Sequence, residues 1–427
     1  MEIPHIPRRE FLQKISAGAA FLTALSSIQS TYADQLFALD SNSDEPGTFA
    51  SLRSQYLLSP DVTYFNHGSI GTIPKIVHEA HTEYLRLCES NPWYYMWSEP
   101  WEEARAKTRE KVAAFLGVNA SEIAFTHNTT EGFNLLANGL PLGKGDEVLF
   151  STLNHSGASK CWFHYATSRG FSVKQFEFPI REVAGLSQAD IVEIYARQIS
   201  ENTRVLVLPH IDNLVGLRHP VKELAAMARS KGVEFVAVDG AQSVGMISVN
   251  IAGLGVDFYA MSPHKWLQSP KGTGLLYIRK SVQSQLRPMW VTWGQKTWEG
   301  TVRIFEDYGT RNLAEVLTLG NAIDFQQQLG IEKTEQRRKT LWRHFANAVE
   351  AAPNIAWQSP KNWELGASLF SIEVNGQSSK EIFRKLFPKH GFVFRAFDNP
   401  GWKTMRISPN IYNTESEIDR FVKLLES

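Results

Sequence analysis

From about residue 75 onward, two patterns of apolar positions alternate along the chain. Short runs at 123–126, 147–150, 172–178, 205–208, 235–238 and 275–278, nearly all apolar apart from the mixed one at 172–178, predict strands. Between them, polar starts followed by apolar residues at helical spacing predict helices at 75–88, 102–116, 130–139, 156–169, 188–199 and 221–230. Strands that lack a polar face are buried on both sides. The pattern therefore predicts a mainly parallel sheet with helices on each face. After Leu313 the rhythm changes to a long helical stretch (314–349), strands at 369–374 and 392–397, and a last helix at 415–425. This second part reads as a smaller α+β domain. The expected organisation is an N-terminal signal segment (1–33), a short segment (34–60), a large domain (61–313) and a small C-terminal domain (314–427).

Composition narrows the classes. A chain of 427 residues that is 43% hydrophobic can bury a large core. Lys and Arg total 44, as do Asp and Glu, so no charge excess favours a nucleic-acid partner. The two cysteines, Cys88 and Cys161, cannot make a disulfide framework or a Cys-rich metal site, and two buried free thiols are expected. No metal is expected.

The N-terminus has the order of an export signal. Pro7-Arg8-Arg9-Glu10-Phe11-Leu12 precedes a modest apolar run, 15–28, and Thr31-Tyr32-Ala33 provides small residues for cleavage. The arginine pair resembles a twin-arginine signal, which predicts an exported or periplasmic protein handled by that machinery; a cytoplasmic location is the alternative. The run is too short and too interrupted by Ser and Thr for a stable membrane span.

Candidate chemistry gathers at two strand ends. The strand at 235–238 runs into Asp239, then Gly240-Ala241-Gln242. In an open α/β sheet, ligands collect at the carboxyl ends of strands, so Asp239 faces a site. Farther on, Ser262-Pro263-His264-Lys265-Trp266 precedes the strand at 275–278. A lysine held in a desolvated turn loses its charge easily and becomes a nucleophile toward an aldehyde. Pyridoxal 5′-phosphate (PLP) asks for a lysine for its aldehyde, a carboxylate for its pyridine nitrogen, and hydroxyls and amides for its phosphate. Lys265, as a Schiff base, and Asp239 fit the first two. Taken singly, each residue also has a plain structural reading: a strand-end acid is usually a turn residue, and Thr-Thr-Glu is usually a helix cap.

The ordered set of motifs between about residues 60 and 425 resembles the class V aminotransferase family, PLP enzymes of fold type I. The likeness is strongest to isopenicillin N epimerase-type members. The resemblance implies a phosphate loop at Thr126-His127-Asn128-Thr129-Thr130-Glu131-Gly132, with Thr129 and Thr130 on phosphate. It implies that His155, in Asn154-His155-Ser156-Gly157, stacks on the cofactor ring. It places Asn213 and Gln242 near the ring hydroxyl, Asp239 on the pyridine nitrogen, and Ser262 and His264 on phosphate. Thr310, in Glu306-Asp307-Tyr308-Gly309-Thr310, would reach the phosphate of a second subunit, which implies a homodimer with shared sites. Arg406 would take the substrate α-carboxylate through its two-pronged fork. His67, in a loop that faces substrate in the family, is a further substrate-binding candidate, although a structural turn fits it equally.

The reaction is less determined than the cofactor. Cysteine desulfurases carry a nucleophilic cysteine shortly before the carboxylate-binding arginine. The matching stretch here, Phe394 to Trp402, has none. The expected activity is therefore epimerisation at an amino-acid α-carbon, with Lys265 and His155 as acid/base groups on opposite faces and Tyr308 a weaker candidate. β-Elimination by a C–S lyase, needing Lys265 alone, and transamination are the alternatives. A non-catalytic exported binding protein would predict a damaged Lys265, Asp239 or phosphate loop, and all are intact. Trp93, Tyr94, Tyr95, Trp97 and Trp293 are expected to line the side-chain pocket.

Overall fold

The first strand, β1 (Thr63–Tyr64), runs parallel to β11 (Phe392–Val393), tying the start of the fold to its C-terminal third. The computed structural model describes residues 51–97, 99–399 and 402–426, with Ser27 and Phe49. The expected signal at 1–33 and most of 34–60 lie outside the described residues. Among the described residues no helix is long and apolar enough to cross a membrane.

The main sheet has seven strands: β2 (Ile123–Thr126), β3 (Glu147–Ser151), β4 (Ser172–Phe176), β5 (Thr203–Pro209), β6 (Phe235–Asp239), β7 (Phe258–Met261) and β8 (Gly274–Ile278). Their order is β2-β8-β7-β6-β5-β3-β4. Neighbours from β7 to β4 are parallel, and β8 is antiparallel to both β7 and β2. This is the doubly wound α/β arrangement of fold type I.

The absence of a polar face explains the packing. In β5, Leu206 and Leu208 enter one core while Val205 and Val207 enter the other; in β6, Val236 and Val238 oppose Phe235 and Ala237 in the same way. Each such buried side chain contributes roughly 1.5–3 kcal/mol relative to exposure.

The strand order reverses between β3 and β5, because β4 lies outside β3 while β5, β6 and β7 follow on its other side. The crevice at that reversal, above the carboxyl ends of the strands, is where such sheets bind ligands. Three site-bearing segments leave the sheet there: 152–157 after β3, 210–217 after β5, and 240–242 after β6.

The C-terminal part contains an antiparallel four-stranded sheet, in the order β12-β13-β10-β9, from β9 (Ile355–Trp357), β10 (Phe370–Val374), β12 (Arg395–Asn399) and β13 (Trp402–Ile407). Its core is aromatic, with Phe65, Phe345, Phe370, Phe392 and Phe421 packed together. The helical stretch expected at 314–349 is two helices, Leu313–Leu329 and Ile331–Glu350, divided at Gly330. Sequence patterning did not anticipate β7, β9 or β13.

The loop after β5 meets the small sheet at one tight point. Gly216 has φ +68°, and a Cβ there would stand 1.7 Å from the Leu369 carbonyl oxygen. Only glycine suits both the left-handed backbone and the contact. Gly216→Ala should destabilise the protein by roughly 2–4 kcal/mol. Urea denaturation monitored by tryptophan fluorescence would show this as a lowered midpoint; an unchanged midpoint would contradict the contact.

Candidate active site

A cavity of about 380 Å³ opens at the strand-order reversal. Its wall includes Thr129, Thr130, His155, Asn213, Asp239, Gln242, Ser262, His264, Lys265 and Arg406. Gly68, Ser69, Asn128, Gly157, Ala241, Arg395 and Phe397 complete it. Residues from eight separate stretches of chain thus meet at one place.

Lys265 lies in the turn after β7, closed by the hydrogen bond from its N–H to the Ser262 carbonyl at 3.0 Å. Burial pushes its amine down to about 8, against the opposing pull of the Asp239 carboxylate and with some help from the Arg406 cation. A neutral fraction on the order of one tenth is therefore present at pH 7, far more than an exposed lysine offers. The turn is held from behind. Gln268, with φ 63°, is the one non-glycine residue with positive φ among the described residues. Its side chain is fully buried, donating to Tyr56 Oη at 3.0 Å and accepting from Gln326 Nε2 at 3.0 Å.

Asp239 ends β6 and is 5% exposed. Its Oδ1 accepts the Ala241 N–H at 2.9 Å, while no hydrogen bond from the described residues reaches Oδ2. That oxygen is available to a protonated ring nitrogen. Gln242 is largely occupied: Nε2 donates to the Gly68 carbonyl at 2.8 Å and Oε1 accepts from Trp266 Nε1 at 2.7 Å. One amide hydrogen remains.

Two helix N-termini converge on the cavity, those of Thr129–Gly139 and Ser156–Arg169. Such ends present free N–H groups and favour anions. Asn128 caps the first by accepting the Glu131 N–H, and Thr129 bonds through Oγ1 to Ser262 Oγ at 2.9 Å. Gly157 permits the convergence, because a Cβ there would meet Thr130 Oγ1 at 2.4 Å. His264 donates from Nδ1 to the Thr273 carbonyl at 3.0 Å, which leaves Nε2 unused.

His155 caps the second helix. Its Nδ1 accepts the Gly157 N–H at 3.1 Å, so the neutral ring carries its proton on Nε2. Desolvation lowers this imidazole; Asp239 opposes the shift, and the Lys265 and Arg406 cations reinforce it.

Arg406 reaches the cavity from β13 and is 4% exposed. It donates to the Asn213 carbonyl at 2.9 Å, to Asn66 Oδ1 at 3.2 Å and to Ser69 Oγ. Its Nε is buried without an acceptor, and no carboxylate pairs with it among the described residues. A buried guanidinium with an unfilled donor suits an incoming carboxylate.

Three expected residues lie elsewhere. His67 is fully buried and does not line the cavity. Its Nε2 bonds to the Lys265 carbonyl at 3.0 Å and its Nδ1 to Tyr412 Oη at 3.2 Å. Burial, with Arg338, lowers its ring to about 3, so it is a neutral brace for the lysine turn. Thr310 is exposed and lines a separate cavity of about 140 Å³. Tyr308 points to His127, with Oη 2.6 Å from Nε2, and does not line the main cavity.

The aromatic group is also displaced. None of Trp93, Tyr94, Tyr95, Trp97 and Trp293 lines the cavity within its own chain. Trp93, Trp97 and Trp293 are instead 77%, 56% and 75% exposed and stack in a row, with centroids 6.2 and 6.3 Å apart.

A pairing that sequence reasoning did not foresee, Arg109 with Glu306, braces the neighbouring loop. Arg109 pairs with Glu306 at 2.7 Å in the interior and bonds the Ile123 carbonyl at 2.6 Å, while Glu306 accepts the Phe125 N–H at 2.8 Å. Together they cover the edge of β2. Both cysteines are buried and free, as expected. Burial raises Cys88 to about 11 and Cys161 to about 12, and neither touches the cavity.

These features fit PLP: a neutralisable lysine, a carboxylate with an open oxygen, an anion-binding pair of helix ends and a guanidinium awaiting a carboxylate. Fold and site define a PLP-dependent enzyme of fold type I. The sequence model described as aminotransferase class V matches residues 63–421, and the chain belongs to that family.

Among curated relatives, it is 29% identical to isopenicillin N epimerase of Amycolatopsis lactamdurans over 394 residues, covering 88% of this chain and 98% of that one. It is 28% identical to a probable cysteine desulfurase of Methanothermobacter thermautotrophicus over 399 residues, covering 88% and 96%. Among solved structures, a cysteine desulfurase from Thermococcus onnurineus NA1 superposes with a TM-score of 0.75 at 25% identity, covering 88% of this chain and 96% of that one.

Because burial holds the Lys265 amine near 8, covalent capture of added PLP should quicken roughly tenfold per pH unit below that value and level off above it. Stopped-flow absorbance on the apoprotein would follow this. A rate that rises unabated to pH 10 would mean an ordinary exposed lysine.

Proposed function

We propose that the chain is an amino-acid epimerase of the isopenicillin N epimerase type. In this reading Lys265 bonds the cofactor aldehyde, Asp239 Oδ2 holds the ring nitrogen and His155 stacks on the ring. Asn213 and the free amide hydrogen of Gln242 serve the ring hydroxyl. Thr129, Thr130, Ser262 and His264 take the phosphate, and Arg406 takes the substrate α-carboxylate. When bound, PLP supplies a conjugated, electron-withdrawing ring that weakens the bonds of the attached α-carbon. Lys265 Nζ removes the α-proton on one face, and His155 handles proton return on the other.

The observation that carries the proposal is the placement of His155 in the same cavity as Lys265, shifted toward its neutral form. Epimerisation requires two such groups. The absence of any cysteine from the cavity wall argues against persulfide chemistry.

A second reading is β-elimination from a cysteine conjugate. One observation favours it: the His155 Nδ1 lone pair already accepts the Gly157 N–H. In that rotamer Lys265 is the one unencumbered base, and elimination needs no other.

We further propose a homodimer in which Thr310 approaches the partner's phosphate site. The exposed row of Trp93, Trp97 and Trp293 supports this, since Trp97, Trp293 and Thr310 line one surface cavity. Export through a twin-arginine signal remains part of the proposal, on the N-terminal sequence alone.

Incubating the holoenzyme with L-amino acids and cysteine conjugates, while following chirality and pyruvate, separates the readings. Loss of chirality without pyruvate is expected, and His155→Gln should lower it by about 10²–10³-fold. Pyruvate release that survives His155→Gln would establish the lyase instead. Conversion of the cofactor to its aminated form alone would mean transamination.

A further inference from the structure

The strongest unused feature is a second arginine at the mouth of the cavity. Arg395 stands directly opposite Arg406 in the antiparallel β12–β13 pair. Opposed residues share a face, with Cβ atoms roughly 5 Å apart. Phe397, two residues along, shares that face. The Arg395 and Arg406 guanidinium carbons lie 5.5 and 5.9 Å from its ring centroid. All three line the cavity. Arg406 is buried and Arg395 exposed, so the two mark successive depths along one wall.

The chain supplies too little negative charge for them. Like charges directly opposed on a sheet destabilise it. Among the described residues, no hydrogen bond or ion pair engages Arg395. Asp398 is nearest in sequence, but strand alternation turns it to the other face, where Ser378 and Ser379 occupy its oxygens. Asp212 is held in its own loop by the N–H groups of Leu214, Val215 and Leu217. Asp239 is thus the single carboxylate on a wall that also carries Lys265, Arg395 and Arg406.

We infer that the substrate is an amino acid with a second carboxylate at the far end of its side chain, and that Arg395 selects it. The inference rests on the assignment of Arg406 to the α-carboxylate. A neutral side chain would leave Arg395 without a partner across from an already satisfied Arg406. A terminal carboxylate gives each guanidinium one anion. Phe397 between them covers the aliphatic stem of the substrate.

Spectral titration of the PLP holoenzyme with matched pairs tests this: L-glutamate against L-glutamine, L-aspartate against L-asparagine, and S-carboxymethyl- against S-carbamoylmethyl-L-cysteine. In at least one pair the acid should bind on the order of tenfold more tightly, the size of one charge-assisted hydrogen bond. Arg395→Gln should abolish that preference with cofactor content unchanged and a melting temperature no lower than the parent's, since it relieves a like-charge pair, and Arg395→Glu should shift it toward L-ornithine or L-lysine. Arg406→Gln should weaken all amino acids alike. Equal binding of acids and amides in every pair, or a preference that survives Arg395→Gln, overturns the role of Arg395 and leaves the assignment of Arg406 standing. Uniform indifference to Arg406→Gln, or no spectral response to any amino acid, overturns that assignment and this inference with it.

Discussion

Everything in the site depends on keeping one ammonium group poorly solvated. Lys265 stands at the carboxyl end of β7, in a cavity whose floor is the packed sheet, and burial lowers its amine to about 8. A carboxylate pressed against it would restore the charge and end its usefulness as a nucleophile. Asp239 is near enough to be felt, yet the desolvation outweighs it. The sheet achieves this balance by giving β6 and β7 no polar face, so water has no route from below.

Around that lysine, the structure divides recognition by charge. Converging helix ends offer dipoles and N–H groups without a formal charge, suited to an anion that stays bound. Another part of the wall carries full guanidinium charges, Arg395 and Arg406, on paired strands of the small sheet. The two sets lie on different parts of the chain, joined by several contacts, among them Gly216 against Leu369, Arg406 on the Asn213 carbonyl and Ser371 on the Leu214 carbonyl.

Much of this was legible in the sequence because it follows from local rules. Apolar runs with little polar interruption announced five of the seven main strands, and the mixed run at 172–178 announced β4. Asp239 and Lys265 could be found because each sits just past an apolar stretch, beside small or turn-forming residues. β7 was hidden by its brevity and its closeness to the lysine motif. β13 was hidden because Lys403, Thr404 and Arg406 interrupt its apolar pattern, although Arg406 itself was recognisable from its motif. Arg395 carries no motif of its own, and only strand register reveals its opposition to Arg406. His67 and the tryptophan row misled for a shared reason: residue type does not encode which way a side chain faces. A histidine satisfied inside the protein and one open to substrate have the same letter, as do aromatic residues of a pocket wall and of an outer surface.

The strained backbone at Gln268 has a mechanical consequence. A residue held at positive φ without being glycine persists only when its surroundings over-determine it. Tyr56 and Gln326 grip its amide, while His67 braces the Lys265 carbonyl a few residues earlier. The lysine therefore pivots from an anchored origin. Its amine can travel only on the arc that its aliphatic stem allows, leaving and returning along one path. Wherever the amine goes during turnover, its stopping points were set when the chain folded.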